Sequence, residues 1–228
     1  MIDLILFGIF PYVAVALAVA AGSYRYIFDR YSWSSHSSQF LESRVLFFGS
    51  VPWHYAILLI LLAHLLAVVF PGNWGLLLGR PVRLYFLEVS GMALGLCTVI
   101  ALLLLMGRRL IDERLAAVTT KVDWLVLWLL LVQVATGVYI AFTLRWGSVW
   151  YVHTATPWLR SLLTFQPEVQ YLAALPTVVK VHAANAFLLV ALLPFSRLVH
   201  LLSVPLGYLT RPYQVVIWYR QQGQKSAS

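Results

Sequence analysis

Five long apolar stretches dominate the chain, and polar connections separate them. Each stretch runs for about 20 residues with almost no charged side chain, the length an α-helix needs to cross a hydrocarbon core about 30 Å thick. They predict transmembrane helices at about residues 4–24, 52–70, 89–107, 124–144 and 180–202. The second begins at Pro52 because proline is tolerated in the first turn of a helix.

The pattern therefore predicts an all-α fold, an integral membrane bundle of five transmembrane helices in one domain over residues 1–228. Residues 203–228 are predicted to form a cytoplasmic tail, which turns polar from Gln214 onward. The first stretch could instead be a cleaved signal peptide, since Ala18-Val19-Ala20 resembles a cleavage site. Its N-terminal flank has no basic residue and its apolar run is long for a signal, so we interpret it as a permanent span.

Composition agrees with a membrane protein, because 61% of the residues are hydrophobic and only 11% are charged. A surface with so few charges must face lipid over most of its area. The net charge of +8 indicates basic loops at a membrane surface, with no nucleic-acid partner. We expect a multi-pass protein of the prokaryotic cell (inner) membrane.

Basic residues predict the orientation, because cytoplasmic connections carry most of the lysine and arginine. With the N-terminus outside and the C-terminus cytoplasmic, eleven of the 16 basic residues are cytoplasmic: Arg25, Arg30, Arg44, Arg108, Arg109, Arg114, Lys121, Arg197, Arg211, Arg220 and Lys225. The other five are then outside: Arg80, Arg83, Arg145, Arg160 and Lys180. The long outer connection 145–179 predicts a short interfacial helix or a packed loop.

The single cysteine excludes internal disulfides, cysteine-based metal clusters and covalent haem attachment. The six histidines therefore remain as the main ionisable groups that could carry chemistry. Two of the six, His36 and His153, lie in connections and are interpreted as solvated or interfacial. The other four lie within two of the five spans: His54, His64, His182 and His200. An ionisable residue inside a span is costly and indicates function, although one alone could simply hydrogen-bond a neighbouring helix.

The four histidines form two predicted pairs at two depths. The second and fifth spans are antiparallel, so His54 lies level with His200, and His64 lies level with His182. Residues ten apart are about 15 Å apart along a helix, whereas residues eighteen apart are about 27 Å apart. The two spacings match only if the fifth span is tilted or bent, and we expect a bend near Pro194.

Facing histidines at two depths are typical of two b-type haems, each held by two imidazoles. Such haems have no open coordination position, which suits electron transfer. A zinc site would need all four histidines together, and axial separations of about 15 Å or more exclude it.

Three segments resemble the gamma subunit of respiratory nitrate reductase, a membrane dihaem cytochrome b. The most specific is the segment around His200, over residues 194–205 and 208–214. The first cytoplasmic connection agrees, with Arg25-Tyr26, Tyr31-Ser32-Trp33 and Ser37-Ser38-Gln39. The connection before the fourth span agrees through Arg114, Thr119-Thr120 and Asp123.

The resemblance implies that His54 and His200 ligate the haem on the cytoplasmic side, and that His64 and His182 ligate the outer one. Members of this family oxidise quinol, either menaquinol or ubiquinol, near the outer face. They pass the electrons inward to an iron–sulfur beta subunit and a molybdenum-containing alpha subunit that reduces nitrate to nitrite. This chain has no group suited to bind molybdenum or nitrate, so that chemistry is assigned to the partners.

The chain departs from the family pattern at the quinol site. The family has a lysine in the outer connection after the second span, and here Arg80 and Arg83 are the nearest basic residues. Arginine keeps its proton, so it could orient or polarise a quinol oxygen, or simply anchor the helix at the membrane surface. Ala63 also replaces a glycine often found before the outer ligand. Arg80, Arg83 and His64 are the candidates for quinol contact.

Two further arginines could act near the cytoplasmic haem. Arg197 lies three residues before His200 on the same helical face, which predicts a pair with a haem propionate. Its alternative role is a membrane-surface anchor. Arg211 could serve the same haem or a partner subunit. Cys97, Gly91 and Gly95 are interpreted as helix-packing residues.

Two other classes of function remain as alternatives. A membrane cytochrome b of a sulfite- or heterodisulfide-reductase-type complex would share the haems but bind a different soluble partner. A cofactor-free scaffold or a transporter would not require four histidines at matched depths. A transporter would also be expected to show inverted repeats, which this sequence lacks.

Overall fold

The computed structural model of this chain describes residues 1–29 and 44–201, and within these ranges all regular structure is helical. Five helices are long and apolar enough to cross a membrane, which confirms the predicted number of spans. In chain order they are Ile2–Phe28, Arg44–Val69, Pro81–Ile111, Lys121–Thr143 and Thr177–Leu192. His36, Arg211 and the predicted tail lie outside the described residues. We name the two ends of the bundle by the predicted orientation, outer and cytoplasmic.

Two spans are longer than predicted. The second begins at Arg44 and contains Pro52, which was wrongly taken as its first residue. A proline inside a helix removes one backbone hydrogen bond. Close packing of the second span against the third compensates for this loss: a Cβ added at Gly49 would lie only 2.8 Å from the Leu105 side chain. The third span extends past the predicted 89–107 at both ends. Charged residues near its two ends do not end the helix: Arg83 is exposed, whereas Arg108 is buried against the rest of the bundle.

The fifth span ends earlier than predicted, which confirms the expected bend near Pro194. Its α-helix stops at Leu192, and the 3₁₀ turn Leu193–Phe195 follows. Ser196 is then extended, and a second 3₁₀ turn, Arg197–Leu201, carries His200. Pro194 favours this end of the α-helix, because it has no N–H to donate and its ring crowds the preceding turn.

Within the described residues, five short helices lie in the connections after the second span. Pro71–Leu78 and Glu113–Ala117 follow the second and third spans. The long outer connection contains Gly147–His153, Ala155–Leu163 and Gln170–Ala173, which confirms that it is packed. Its Trp158 is 3% exposed and donates its indole N–H to the Phe7 carbonyl at 2.9 Å, so the connection is tied to the first span.

The spans pack in the order second, third, fourth, fifth, first. The second and fifth spans, which carry the four histidines, are the two ends of a four-helix arc. Within the described residues they make no extensive backbone contact with each other. Side chains of these two helices therefore face each other across the inner side of the arc.

Large apolar side chains remain exposed on every span, as in Leu65 and Phe142, which are 58% and 74% exposed. Helices that are hydrophobic on all sides are buried in lipid. Helix contacts instead depend on small residues: a Cβ at Gly95 would lie 2.9 Å from Val138, which confirms the packing role predicted for Gly95. The packing role predicted for Gly91 is wrong, because a Cβ added at Gly91 would meet nothing within 4 Å.

Candidate functional site

His54 and His200 face each other at the cytoplasmic end of the bundle. Their ring centroids are 6.0 Å apart and the ring planes are inclined by 60°. The second span carries His54, and the 3₁₀ turn after the fifth span brings His200 to the same depth. The break at Pro194 thus lies between His182 and the turn that places His200 opposite His54.

This separation fits one metal atom between the two rings. An imidazole–metal bond is about 2 Å long, and a ring centroid lies roughly 1 Å behind its nitrogen, so two axial imidazoles place their centroids about 6 Å apart. The geometry therefore suits a six-coordinate haem iron with both axial positions taken by histidine.

Hydrogen bonds determine which ring nitrogen of each histidine can bind a metal. In three of the histidines the Nδ1 atom faces a backbone carbonyl oxygen one turn earlier in the chain. The distance is 2.7 Å from His54 to Ser50, 2.8 Å from His64 to Ile60 and 2.7 Å from His200 to Arg197. A carbonyl only accepts, so Nδ1 carries the proton and donates it. The lone pair then belongs to Nε2, which is the nitrogen left for the metal.

His182 lies against the fourth span, where both of its ring nitrogens have partners. Its Nδ1 lies 3.0 Å from the Thr136 hydroxyl, which itself donates to the Val132 carbonyl at 2.7 Å. The hydroxyl oxygen therefore accepts the Nδ1 proton, and the lone pair of His182 again belongs to Nε2. The Gln133 amide donates to this Nε2 at 3.1 Å, so a metal would replace that contact.

Asn185 and Gly137 complete the surroundings of His182. Asn185 donates to Gln133 Oε1 at 2.7 Å and to the Leu129 carbonyl at 3.0 Å, which orients the glutamine amide. At Gly137 a Cβ would lie 3.2 Å from His182 Cε1, so this position has little room for a side chain. The fourth span therefore positions the ring from one side.

His64 lies near the outer end of the second span, and its pairing with His182 stays a prediction. Its ring packs edge-to-face against Tyr151 of the short outer helix Gly147–His153, with centroids 5.3 Å apart. Burial raises the pKa of Tyr151 to about 12, so its hydroxyl keeps its proton at neutral pH.

The two arginines predicted for quinol contact lie at the outer end of the third span, and both are exposed. Arg80 is the residue before its first turn. Arg83 donates to the Leu76 carbonyl at 3.0 Å, which ties the third span to the short helix Pro71–Leu78.

Arg197 lies at the cytoplasmic end, beside His200. Its Nε is 2.9 Å from Asp123 Oδ1, and its Nη2 donates to the Val118 carbonyl at 2.9 Å. Asp123 is 7% exposed and also accepts from the Thr120 N–H at 2.9 Å. The guanidinium thus fastens the His200 turn to the start of the fourth span, and its contact with a propionate stays a prediction.

Sequence reasoning missed the residues that support His182 and His64: Gln133, Thr136, Gly137, Asn185 and Tyr151. A signal existed for the polar residues of the fourth and fifth spans, because polar side chains within a span usually have a partner on another helix. Tyr151 had no comparable signal. His153 is exposed on the short outer helix, and its predicted interfacial role stays open.

Among residues 1–29 and 44–201 no group of three or more His, Cys, Asp or Glu side chains could hold a metal ion. Of the four histidines within the bundle, His54 and His200 have rings that face each other. Cys97, half-buried on the third span, is a free thiol.

Comparison with known proteins names the family. The family model "Nitrate reductase gamma subunit" matches residues 3–219. The "Nitrate reductase gamma chain" of Bacillus subtilis (strain 168) is 33% identical over 214 residues, covering 92% of this chain and 96% of that protein. The "Respiratory nitrate reductase 1 gamma chain" of Escherichia coli (strain K12) is 32% identical over 219 residues, covering 94% and 97%.

A longer relative contains the same region. The "Nitrate reductase-like protein NarX" of Mycobacterium tuberculosis (strain CDC 1551 / Oshkosh) is 34% identical over 209 residues. The match covers 89% of this chain and 32% of that protein.

Proposed function

Because the chain belongs to the nitrate reductase gamma subunit family, we propose that it is the dihaem cytochrome b subunit that oxidises quinol for a cytoplasmic nitrate reductase. It is a multi-pass membrane protein and the membrane-anchored electron-transfer subunit of its complex. The proposal adds the number of haems, the substrate and the direction of electron flow.

One observation carries the proposal: the 6.0 Å separation of the His54 and His200 rings across two spans. His54 and His200 would hold the cytoplasmic haem, and His64 and His182 the outer haem, each through Nε2. When bound, the two b-type haems supply centres that accept and release one electron at a time.

The protein's own contribution is to orient the ligands. The Nδ1 hydrogen bonds hold each ring in one tautomer and one rotation, which lowers the cost of binding the haem. The second and fifth spans carry all four rings on rigid helices or on a turn fastened by Arg197. Their positions in the arc leave the two spans facing each other without packing together.

Quinol oxidation near the outer face would release two protons there. His64 and the outer ends of the second and third spans form this region, with Arg80 and Arg83 at its rim. An arginine remains protonated, so these two side chains would orient or polarise a quinol oxygen and would not accept its proton. Substrate would enter from the lipid, where quinols dissolve.

The partners proposed for the cytoplasmic face are an iron–sulfur beta subunit and a molybdenum-containing alpha subunit. The names of the relatives support an assembly of this kind, because they describe gamma chains of nitrate reductases. The family match also favours this function over a sulfite- or heterodisulfide-reductase-type cytochrome and over a cofactor-free scaffold or transporter.

A difference spectrum of the purified complex tests the proposal. Reduction by menadiol, a soluble naphthoquinol, should give b-type haem absorption at two haems per chain. His64→Ala should abolish the outer haem and quinol oxidation while keeping the cytoplasmic haem. His54→Ala should abolish the cytoplasmic haem.

His153→Ala is the matched control, since His153 lies outside the two pairs, and it should keep both haems. Absence of reducible haem absorption in the parent complex would overturn the proposal. Loss of only the cytoplasmic haem in His64→Ala would overturn the assignment of the pairs.

A further inference from the structure

A small apolar cluster lies at the outer end of the bundle, next to His64. Its buried members are Ala67, Trp74 and Leu78, and the partly buried residues packed around them are Ala63, Leu84, Leu87, Val149, Tyr151 and Val152. We call this set the outer cluster. It joins the second span, the helix Pro71–Leu78, the third span and the helix Gly147–His153.

The outer cluster contains a buried donor without an acceptor. Trp74 is 8% exposed, and its indole N–H has no hydrogen-bond partner in the part of the chain that the structure describes. A buried donor left unpaired costs about 1–3 kcal/mol, so native proteins rarely keep one without a purpose. An acceptor that arrives with a ligand would remove this cost.

A second donor lies in the same cluster. The Tyr151 ring packs on His64 and against the cluster, and its hydroxyl is a second neutral donor. A tyrosine that packs its ring in an apolar environment usually finds a partner for its hydroxyl. Trp74 therefore presents an unmatched donor, and Tyr151 a second donor, in the cluster beside one proposed ligand of the outer haem.

The helix that carries Tyr151 is held in place. Glu88 of the third span accepts a hydrogen bond from the Ser148 N–H at 2.9 Å, and a second from the Ser148 hydroxyl. Ser148 and Tyr151 are three residues apart, so they share one face of this helix. The Glu88–Ser148 contact thus fixes the distance of the tyrosine from the third span.

We propose that the Trp74 N–H and the Tyr151 hydroxyl bind the oxygen atoms of the quinol, with the apolar residues of the outer cluster against its ring. This assignment rests on the proposed function and adds the residues that recognise the substrate. The matching ligand is an aromatic ring with two oxygen substituents and an apolar tail, because the cluster offers two neutral donors and no described carboxylate or cation.

Neither residue changes its own oxidation state in this assignment. Oxidation of a quinol to a quinone releases two electrons and two protons. Haem, when bound, would accept the electrons and water at the outer face the protons, while the two donors hold the oxygens. The residues act as binding groups, so their loss should weaken substrate binding more than turnover.

Two other locations compete with this one. The acceptor for the two donors could be a propionate of the outer haem. The quinol could also bind in a cavity of about 440 Å³ between the third and fourth spans, which Tyr85, Glu88 and Arg145 line. Each alternative predicts a different result in the same experiment.

The experiment uses the complete membrane complex with Trp74→Phe and Tyr151→Phe, assayed with menadiol. Removal of one neutral hydrogen bond should raise the KM about 3- to 10-fold for each variant, with kcat changed less than KM. The midpoint potentials of both haems should equal those of the parent. Tyr85→Phe, in the competing cavity, should leave the KM unchanged.

Three results would overturn the inference. A shifted potential of the outer haem with an unchanged KM would assign the donors to a propionate. A raised KM only in Tyr85→Phe would assign the substrate to the lateral cavity. An unchanged KM in a correctly assembled Tyr151→Phe complex would show that this hydroxyl does not bind quinol. Failure of the proposed function is distinguishable, because the parent itself would then not oxidise menadiol.

Discussion

At the residue scale, the central feature is the protonation pattern of the four histidines within the bundle. Each has an acceptor for its Nδ1 proton, three through a backbone carbonyl and one through Thr136. A histidine held in this way presents the Nε2 lone pair in a fixed direction. Electron transfer benefits from such rigidity, because ligands that are already oriented need little reorganisation when a haem changes charge.

The contact between Thr136 and His182 gives the first prediction at this scale. Thr136→Val keeps the shape of the side chain but removes the acceptor of the Nδ1 proton. Loss of a supporting hydrogen bond of this kind typically lowers the affinity of a metal site by about 10- to 100-fold. We expect less outer haem per chain, with the cytoplasmic haem retained, in a titration of the apoprotein with haem followed by absorption.

Thr143→Val is the matched control, because the Thr143 hydroxyl donates to the Tyr139 carbonyl one helical turn earlier. It should retain both haems. If Thr136→Val and Thr143→Val have equal outer haem affinity and equal potentials, the Thr136 hydroxyl has no part in holding His182.

At the element scale, the end of the fifth span is the part that most depends on its surroundings. The α-helix stops at Leu192, and two short 3₁₀ turns carry the chain to His200. Turns of this length have little stability of their own. The pair between Arg197 and Asp123, with Asp123 fixed in the capping box of the fourth span, supplies the anchor.

Asp123→Ala tests this anchor. It removes the acceptor of Arg197 and half of the capping box, and it should lower the free energy of unfolding by about 2–4 kcal/mol. The cytoplasmic haem should be lost at a lower temperature than the outer one, because the turn that carries His200 loses its attachment. Thermal unfolding in detergent, followed at the haem absorption, measures both effects.

Thr120→Ala provides the comparison, since it removes only the cap hydrogen bond to the Asp123 N–H. Its expected cost is about 1 kcal/mol. Equal destabilisation by the two variants would mean that the ion pair with Arg197 contributes nothing to the position of His200.

At the scale of the whole molecule, the arrangement is an arc of four spans with the histidine-bearing helices at its two ends. The first span closes the arrangement against the fifth, and the long outer connection covers its outer end through Phe7 and Trp158. This layout is compatible with the proposed pairs of ligands at two depths.

The predicted orientation can be tested by labelling single cysteines. In a Cys97→Ser background, Gln166→Cys lies in the outer connection and Glu113→Cys in the connection between the third and fourth spans, and both positions are exposed. A membrane-impermeant maleimide should label Gln166→Cys on intact cells, and Glu113→Cys only after the cells are opened.

The background variant alone should remain unlabelled, because Cys97 is the only cysteine in the chain. The reverse pattern would place the N-terminus inside. It would also move the Trp74 and Tyr151 region to the cytoplasmic side.

Much of the fold could be predicted because the number of spans depends on local composition. Helix ends were less predictable: Pro52 lies inside the second span, and charged residues extend the third span beyond its apolar part. Packing can compensate for one lost hydrogen bond, and the folded bundle can bury a charged side chain such as Arg108. Both effects depend on neighbours that are distant in sequence.

The sequence by itself determined the five spans, the two histidine-bearing helices and the need for a bend near Pro194. Those properties follow from the length of apolar runs and from the rise per residue of an α-helix. Tertiary structure alone decided which side chains meet: Gln133 and Thr136 with His182, Arg197 with Asp123, and Tyr151 with His64. These contacts depend on how each helix is rotated and tilted against the next, and only packing of the complete bundle selects that rotation and tilt.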